Sequence, residues 1–280
     1  PTCKICFATA PPNVELLKTW PLGIIDSFAA QPFKANLMDN YDYHLTFEGS
    51  VERAKEAESI NAYEVFQQVA NVPFDLNEWQ PVLESQPFIK ARYQAFIPEN
   101  TVVLQLKSTS PLRTYPLQRT KELVSALNDR GYVAGIIERR QYAFAIQDYL
   151  VEHGLGPDKA INLALFSNSV QQCVNIVDCC AGAIGVDSAI VHFAAALKKP
   201  VLGIYGPFPG RIRMEYYPTG EYIEAPPAWN ECGIRPCCFH QDDVVNCPYL
   251  AQNKAPGCVD VLDPKEIVER FHTLCQKNNA

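Results

Sequence analysis

The stretch Val174–Pro207, VNIVDCCAGAIGVDSAIVHFAAALKKPVLGIYGP, decides the fold. Ala183 to Val186 is an uninterrupted apolar run, and Asp187-Ser188 breaks it. Ala189 to Lys198 then reads as a helix, Pro200 stops it, and Val201 to Tyr205 is a second apolar run. Runs without polar alternation suit strands covered on both faces, as in a parallel sheet, with the helix as the crossover. The predicted unit is strand, helix, strand.

Its polar break is where chemistry is expected. Asp187 or Ser188 is placed to cap the helix by accepting a hydrogen bond from a first-turn N–H. The other N–H groups there, near Ala189 and Ile190, lack intrahelical partners, and the helix dipole adds partial positive charge. Such an end suits a phosphate. His192 lies one turn beyond Ser188, so its imidazole reaches the same mouth. A plainer reading of these residues is a capped crossover helix whose histidine packs at a sheet edge.

Outward from this unit the chain alternates strands and helices. On its N-terminal side, Val102 to Leu106, Val133 to Ile137 and Ile161 to Leu165 read as strands, and Leu117 to Asn128, Tyr142 to His153 and Val170 to Cys179 as helices. Ser108 and Ser110 follow the first of these strands with Arg113 close behind, offering hydroxyls, turn N–H groups and a planar guanidinium to anionic oxygens. Glu138 follows the next strand, where a carboxylate can bind ribose hydroxyls. Arg139 and Arg140 beside it make a salt-linked surface turn the alternative. Beyond Pro207, the run Phe208 to Arg213 is expected to be a loop with two arginines able to close over a diphosphate.

The first 98 residues are expected to form a smaller lobe. Cys3 to Thr9, Ile24 to Phe28 and Asp42 to Phe47 read as strands, and Asn13 to Lys18 and Asn61 to Val69 as helices, the latter with Tyr63, Phe66 and Val69 on one face. Glu48 follows the third strand at a ligand-facing position, where it is either an acceptor-orienting carboxylate, and then the one candidate catalytic base in the first lobe, or a surface loop residue. Residues 73–100 show neither clean helix nor strand patterning and are expected to carry the crossover. A last helix, Lys265 to Cys275, has Asp263 as N-cap and Pro264 at its first position.

Composition narrows the partners. With 280 residues and 48% of them hydrophobic, the chain can bury one large or two ordinary cores. Acidic residues outnumber basic ones 31 to 24, for a formal charge of -7, so a nucleic-acid partner is not expected. No apolar run reaches the roughly 18–20 residues of a membrane span, and no basic-then-apolar leader opens the chain. Eleven cysteines, odd in number and unevenly spaced, fit a reducing cytoplasm. Cys232, Cys237, Cys238, Cys247 and Cys258 crowd into residues 232–258 with His240. Cys232, Cys237, Cys247 and Cys258 are a possible tetrahedral structural zinc set, although their spacing lacks C-x2-C knuckles, and free thiols or disulfides are the alternative.

The run D-S-A-x-x-H-x-A-A-A-L-x-x-P-V followed by Y-G-P, Asp187 to Pro207, resembles the nucleotide-binding segment of the family 9 glycosyltransferases, the ADP-heptose:lipopolysaccharide heptosyltransferase group. The segment from Ser108 through Arg113 and Tyr115 to Pro116 is similar to that family's Ser-Ser-x-x-x-Lys-x-Trp-Pro segment. This chain carries Ala189 where the family usually has Gly. The resemblance implies two Rossmann-like lobes in the GT-B arrangement, spanning residues 1–98 and 99–262, with residues 263–280 as a returning helix. It implies transfer of a sugar from a nucleotide diphosphate sugar, ADP-linked by resemblance, to a carbohydrate or other acceptor hydroxyl, with no catalytic metal required. Ser108, Ser110, Arg113, Asp187, Ser188, Ala189 and His192 would face the diphosphate and Glu138 the nucleoside. Family members open with a strand, a Gly-Asp loop supplying the proposed base, and a helix. Nothing here matches that unit, so the first lobe is expected to be incomplete and the 280 residues to bind nucleotide while turning over little donor. Two alternatives stand beside this reading: a nucleotide-sugar epimerase or hydrolase, and a non-catalytic binding or assembly protein.

Overall fold

In a computed structural model of the protein, residues 4–18, 25–30, 32, 36–47, 50–51, 54, 59–73, 75, 81–237 and 247–278 are described. The chain begins with β1 (Cys6–Thr9), α1 (Pro11–Lys18) and β2 (Ser27–Ala30), and the two strands pair in parallel. The expected strand Asp42 to Phe47 does not form: these residues pair with no strand among the described residues, and Tyr43 is 91% exposed. An alternating pattern makes a strand only where a neighbour accepts its backbone hydrogen bonds. Next comes α2 (Ala62–Ala70), with Asn61 accepting a 3.0 Å hydrogen bond from Tyr63 N as its N-cap.

Residues 73–100 contain a helix that patterning did not reveal, α3 (Pro87–Gln94), started by Pro87 at its first position and packed on the later helix 170–179. Then follow β3 (Thr101–Gln105), α4 (Thr120–Asp129), β4 (Val133–Ile136), α5 (Ala143–Glu152), β5 (Ala160–Asn162), α6 (Val170–Cys179), β6 (Gly182–Val186), α7 (Ala189–Ala196) and β7 (Val201–Tyr205). β5 stops earlier than expected because residues 163–165 turn into a 3-10 helix. α7 also stops early, two residues before Lys198, whose φ of 57° is left-handed. The expected loop after Pro207 holds a short helix, α8 (Arg211–Met214), and leads to an unanticipated strand, β8 (Gly220–Glu224). α9 (Gly257–Asp260) and α10 (Pro264–Asn278) complete the chain, and Lys265 N donates to Asp263 Oδ1 at 3.2 Å as the sequence suggested.

The larger sheet runs β5-β4-β3-β6-β7-β8, parallel throughout. Alternate side chains leave it on opposite faces. Val102, Leu104, Ile184, Val186, Leu202 and Ile204 meet α4, α5 and α10 through Leu123, Leu127, Leu150 and Phe271. Val103, Ala183, Val201 and Tyr205 meet α3, α6, α7 and α8 through Tyr93, Ile176, Ile190 and Ile212. This is a doubly wound sheet whose strand order reverses between β3 and β6. Such a reversal leaves a crevice at the carboxyl ends of those two strands.

Candidate active site

The crevice is occupied by side chains from both sides of the reversal. Asp187, at the end of β6, is 6% exposed and receives Arg113 Nη1 on Oδ2 at 2.6 Å. Arg213 Nε stands 3.6 Å from its Oδ1, and His192 Nε2 stands 3.9 Å from the same oxygen. Burial by itself would raise the Asp187 carboxyl pKa, but Arg213, His192 and Arg113 outweigh it and hold the group below its ordinary value. One carboxylate therefore faces two guanidinium groups, which leaves the crevice net positive.

Ser188 begins α7 but does not cap it with its side chain. The expected cap by Asp187 or Ser188 is replaced by one from β3. Gln105 Oε1 accepts the Ser188 hydroxyl and, at 3.4 Å, the Ile190 N–H. Asp187 is committed to Arg113, and a short amide from the adjacent strand reaches both groups. The approach is close because Gly185 has no side chain: a Cβ there would lie 3.1 Å from Val191 Cγ2 and 3.3 Å from Gln105 O. Ala189 occupies an ordinary first-turn helical position, so no glycine is needed there.

Over this mouth lies α2. The cleft, about 340 Å³, is lined by Tyr63 and Phe66 from α2 and by Arg113, Asp187, Ser188, Ala189, His192 and Arg213 from the larger sheet's edge. Its volume falls in the range of small-ligand sites. His192 is about one third exposed. Its Nδ1 is 2.5 Å from the Tyr217 hydroxyl, which in turn hydrogen-bonds to the Tyr63 hydroxyl. Burial lowers the His192 pKa, Asp187 opposes that shift and Arg213 adds to it, with a net lowering. Tyr63 and Tyr217 are both raised by burial and stay neutral.

Other sequence-predicted residues lie elsewhere. Ser108 and Ser110 do not line the cleft; they bond within their own turn, Ser110 N donating to Ser108 Oγ at 3.4 Å, and Ser110 is 2% exposed. Glu138 stands at the same sheet edge, outside the cleft lining, and accepts a 2.9 Å hydrogen bond from Lys107 N. Burial pushes its pKa up to about 7 against the pull of Lys107 and Arg139. Of the two arginines after Pro207, Arg213 enters the cleft, while Arg211 Nη1 turns away to Ser59 O at 2.7 Å. Glu48, Cys238 and His240 fall outside the described residues.

Of the four residues of the possible zinc set, Cys247 and Cys258 are buried and Cys232 and Cys237 half-buried. Burial, then the neighbouring thiols led by Cys237, push Cys258 up to about 12. Among the described residues no group of three or more His, Cys, Asp or Glu side chains is placed to hold a metal. Nor, among them, is any helix long and apolar enough to cross a membrane.

Tyr63, Gln105 and Tyr217 were not foreseen. Tyr63 had shown itself only as one member of an apolar face, and nothing local ties Gln105 or Tyr217 to residues 187–192.

A doubly wound parallel sheet with a cationic cleft at its reversal defines an α/β protein of the Rossmann class. Residues 51–218, more than half of the chain, match the sequence profile of glycosyltransferase family 9 (heptosyltransferase), and the chain belongs to that family. No curated protein sequence matches it. Solved structures share the fold. The ADP-heptose lps heptosyltransferase II of E. coli aligns over 100% of this chain and 92% of its own, with TM-score 0.61 and 14% identity. The glycosyl transferase family 9 protein of Veillonella parvula DSM 2008 aligns over 98% and 89%, with TM-score 0.60 and 12% identity. The dodecameric iron-containing heptosyltransferase TibC of enterotoxigenic E. coli H10407, solved with ADP-D-beta-D-heptose, aligns over 99% of this chain and 69% of its own, with TM-score 0.63 and 15% identity. At these identities the likeness shows the fold. The family's reaction is transfer of a sugar from a nucleotide diphosphate sugar to an acceptor hydroxyl, and membership favours it over the epimerase, hydrolase and assembly-protein alternatives.

Proposed function

We propose that this cleft binds the diphosphate of a nucleotide sugar, ADP-linked, as the donor side of sugar transfer to an acceptor hydroxyl. The observation that carries the reading is the Arg113–Asp187–Arg213 cluster at the start of α7. Cleavage of a donor's sugar–oxygen bond leaves a negative charge on the departing diphosphate. Fixed cations and N–H dipoles aimed at that charge stabilise it without reorganising as it develops. Arg113 and Arg213 supply the cations, the N-terminal end of α7 supplies its dipole, and His192 supplies a hydrogen bond. Asp187 does not act as a base: two arginines hold it ionised and occupied, and its role is to aim them. Glu138 accepts ribose hydroxyls from the neighbouring strand end. TibC bound to ADP-D-beta-D-heptose supports an ADP-linked heptose as the donor.

Calorimetry with ADP, UDP and GDP tests the reading. ADP is expected to bind, and Arg213→Ala to weaken it about ten-fold or more, the equivalent of one charged hydrogen bond of roughly 1.5–3 kcal/mol. No heat with any of the three nucleotides, on folded protein, would overturn the proposal.

A further inference from the structure

Tyr217 is 3% exposed and is absent from the cleft wall, yet its hydroxyl is the partner of the one imidazole that lines it. The three groups Tyr63, Tyr217 and His192 form a chain of hydrogen bonds, and such a chain has two possible directions. In one, Tyr63 donates to Tyr217 and Tyr217 donates to His192 Nδ1, so Nε2 carries the imidazole proton. In the other, Nδ1–H donates to Tyr217, Tyr217 donates to Tyr63, and Nε2 presents a lone pair.

Charge decides between them. Nε2 stands 3.9 Å from Asp187 Oδ1, a carboxylate held ionised by two guanidinium groups. A lone pair facing that oxygen is repelled, whereas an N–H facing it is attracted. A diphosphate entering the cleft strengthens the same preference, since its oxygens are acceptors. The two hydroxyls stay protonated and the imidazole stays neutral, so one proton occupies each link.

We propose that Tyr217 is a positioning residue: Asp187 keeps the imidazole proton on Nε2, and the Tyr217 hydroxyl, donating to Nδ1, holds the ring so that Nε2–H is a ready hydrogen-bond donor toward the diphosphate. The role extends the proposed diphosphate site and rests on it for its use, although the tautomer itself is a property of the free protein. A donor fixed before binding costs no rotation or proton exchange when the ligand arrives. Replacing Tyr217 by Phe keeps the ring in its apolar surroundings and removes the only atom the argument requires.

The test is nitrogen NMR of protein labelled at histidine, with His192 assigned by the signal lost in His192→Gln. Wild-type protein without nucleotide should show an unprotonated Nδ1 and a protonated Nε2 at neutral pH. Tyr217→Phe should keep the Nε2–H tautomer, shift the Nδ1 resonance by removing its hydrogen bond, and weaken ADP about three- to ten-fold, the loss of one neutral hydrogen bond. It should add nothing in the His192→Gln background. A wild-type Nδ1–H tautomer, or an imidazolium at neutral pH, overturns the proposal without any variant being needed. An unchanged Nδ1 resonance in a folded Tyr217→Phe protein overturns it equally. If wild type shows the Nε2–H tautomer with Nδ1 hydrogen-bonded to Tyr217 but binds no nucleotide, the positioning of His192 stands and the diphosphate reading falls.

Discussion

Asp187 shows how much of this site rests on a single side chain. A buried carboxylate is costly unless paired, and a buried pair broken on one side leaves an uncompensated charge. Asp187→Asn would leave Arg113 and Arg213 facing each other, so we expect a loss of about 3–5 kcal/mol in urea unfolding at pH 7. The pH dependence has a definite sign. The folded-state pKa of Asp187 lies below its ordinary 3.8, so its stabilisation is complete above that value and disappears as pH falls through the lower, folded one. Asp187→Asn should flatten that acid limb, and an unaltered limb would show that the pairing is unimportant. Glu138 behaves in the opposite way. Burial raises it from 4.5 to about 7, so the folded state favours the neutral acid, and stability should decline as pH rises across that interval. Glu138→Gln should remove the decline. If its carboxylate accepts ribose hydroxyls, ADP affinity should also rise with pH through about 7 in wild type and not in the variant.

At the scale of elements, α7 is the piece most legible in the sequence and the piece whose cap was misread. The strand-helix-strand order could be seen because Ala183–Val186 and Val201–Tyr205 are apolar without alternation, which only a doubly covered strand requires. The cap could not be seen because its acceptor, Gln105, is 83 residues from Ser188 in sequence and comes from the strand next to β6. Gln105→Ala should cost about 1 kcal/mol, the usual value of a cap, and speed amide exchange at Ile190 without affecting α10. Unchanged exchange at Ile190 would mean the first turn is held by packing instead. Elsewhere the failures have related causes. β8, GEYIE, is an edge strand with one buried residue, Ile223, so its composition carries little signal. The alternating run Asp42 to Phe47 had the signal, but among the described residues no strand lies beside it. Arg211 and Arg213 were indistinguishable in sequence, and only the turn of α8 sends one to the cleft and the other to Ser59.

For the whole molecule, the decisive relation is between α2 and the larger sheet. α2 has a small core of its own, built from Val51, Ala62 and Val65 with Ala54, Ile60 and Phe66 against it. Its attachment to the larger unit is mostly polar: Asn61 Nδ2 donates to Arg211 O at 3.1 Å, Arg211 returns a bond to Ser59 O, Tyr216 bonds to Glu64, and Tyr63 to Tyr217. Segments held by few apolar contacts open at a lower free energy than the sheet that anchors them. In the free protein, amides of Ala62–Ala70 should therefore exchange well before those of β3 and β6. A ligand gripped by Arg113 and Arg213 below and by Tyr63 and Phe66 above binds the closed arrangement only, so it must stabilise closure by its own binding free energy. At roughly 100 times its dissociation constant, that amounts to about 2.7 kcal/mol, or a slowing of exchange on α2 by up to about a hundred-fold. Hydrogen exchange with and without ADP measures this directly, and the protection should extend over α2 and the first turn of α7 while leaving α10 unchanged. If ADP raised the melting temperature but left α2 exchanging at its free rate, the nucleotide would be bound by the sheet edge alone, and α2 would not be part of the donor site.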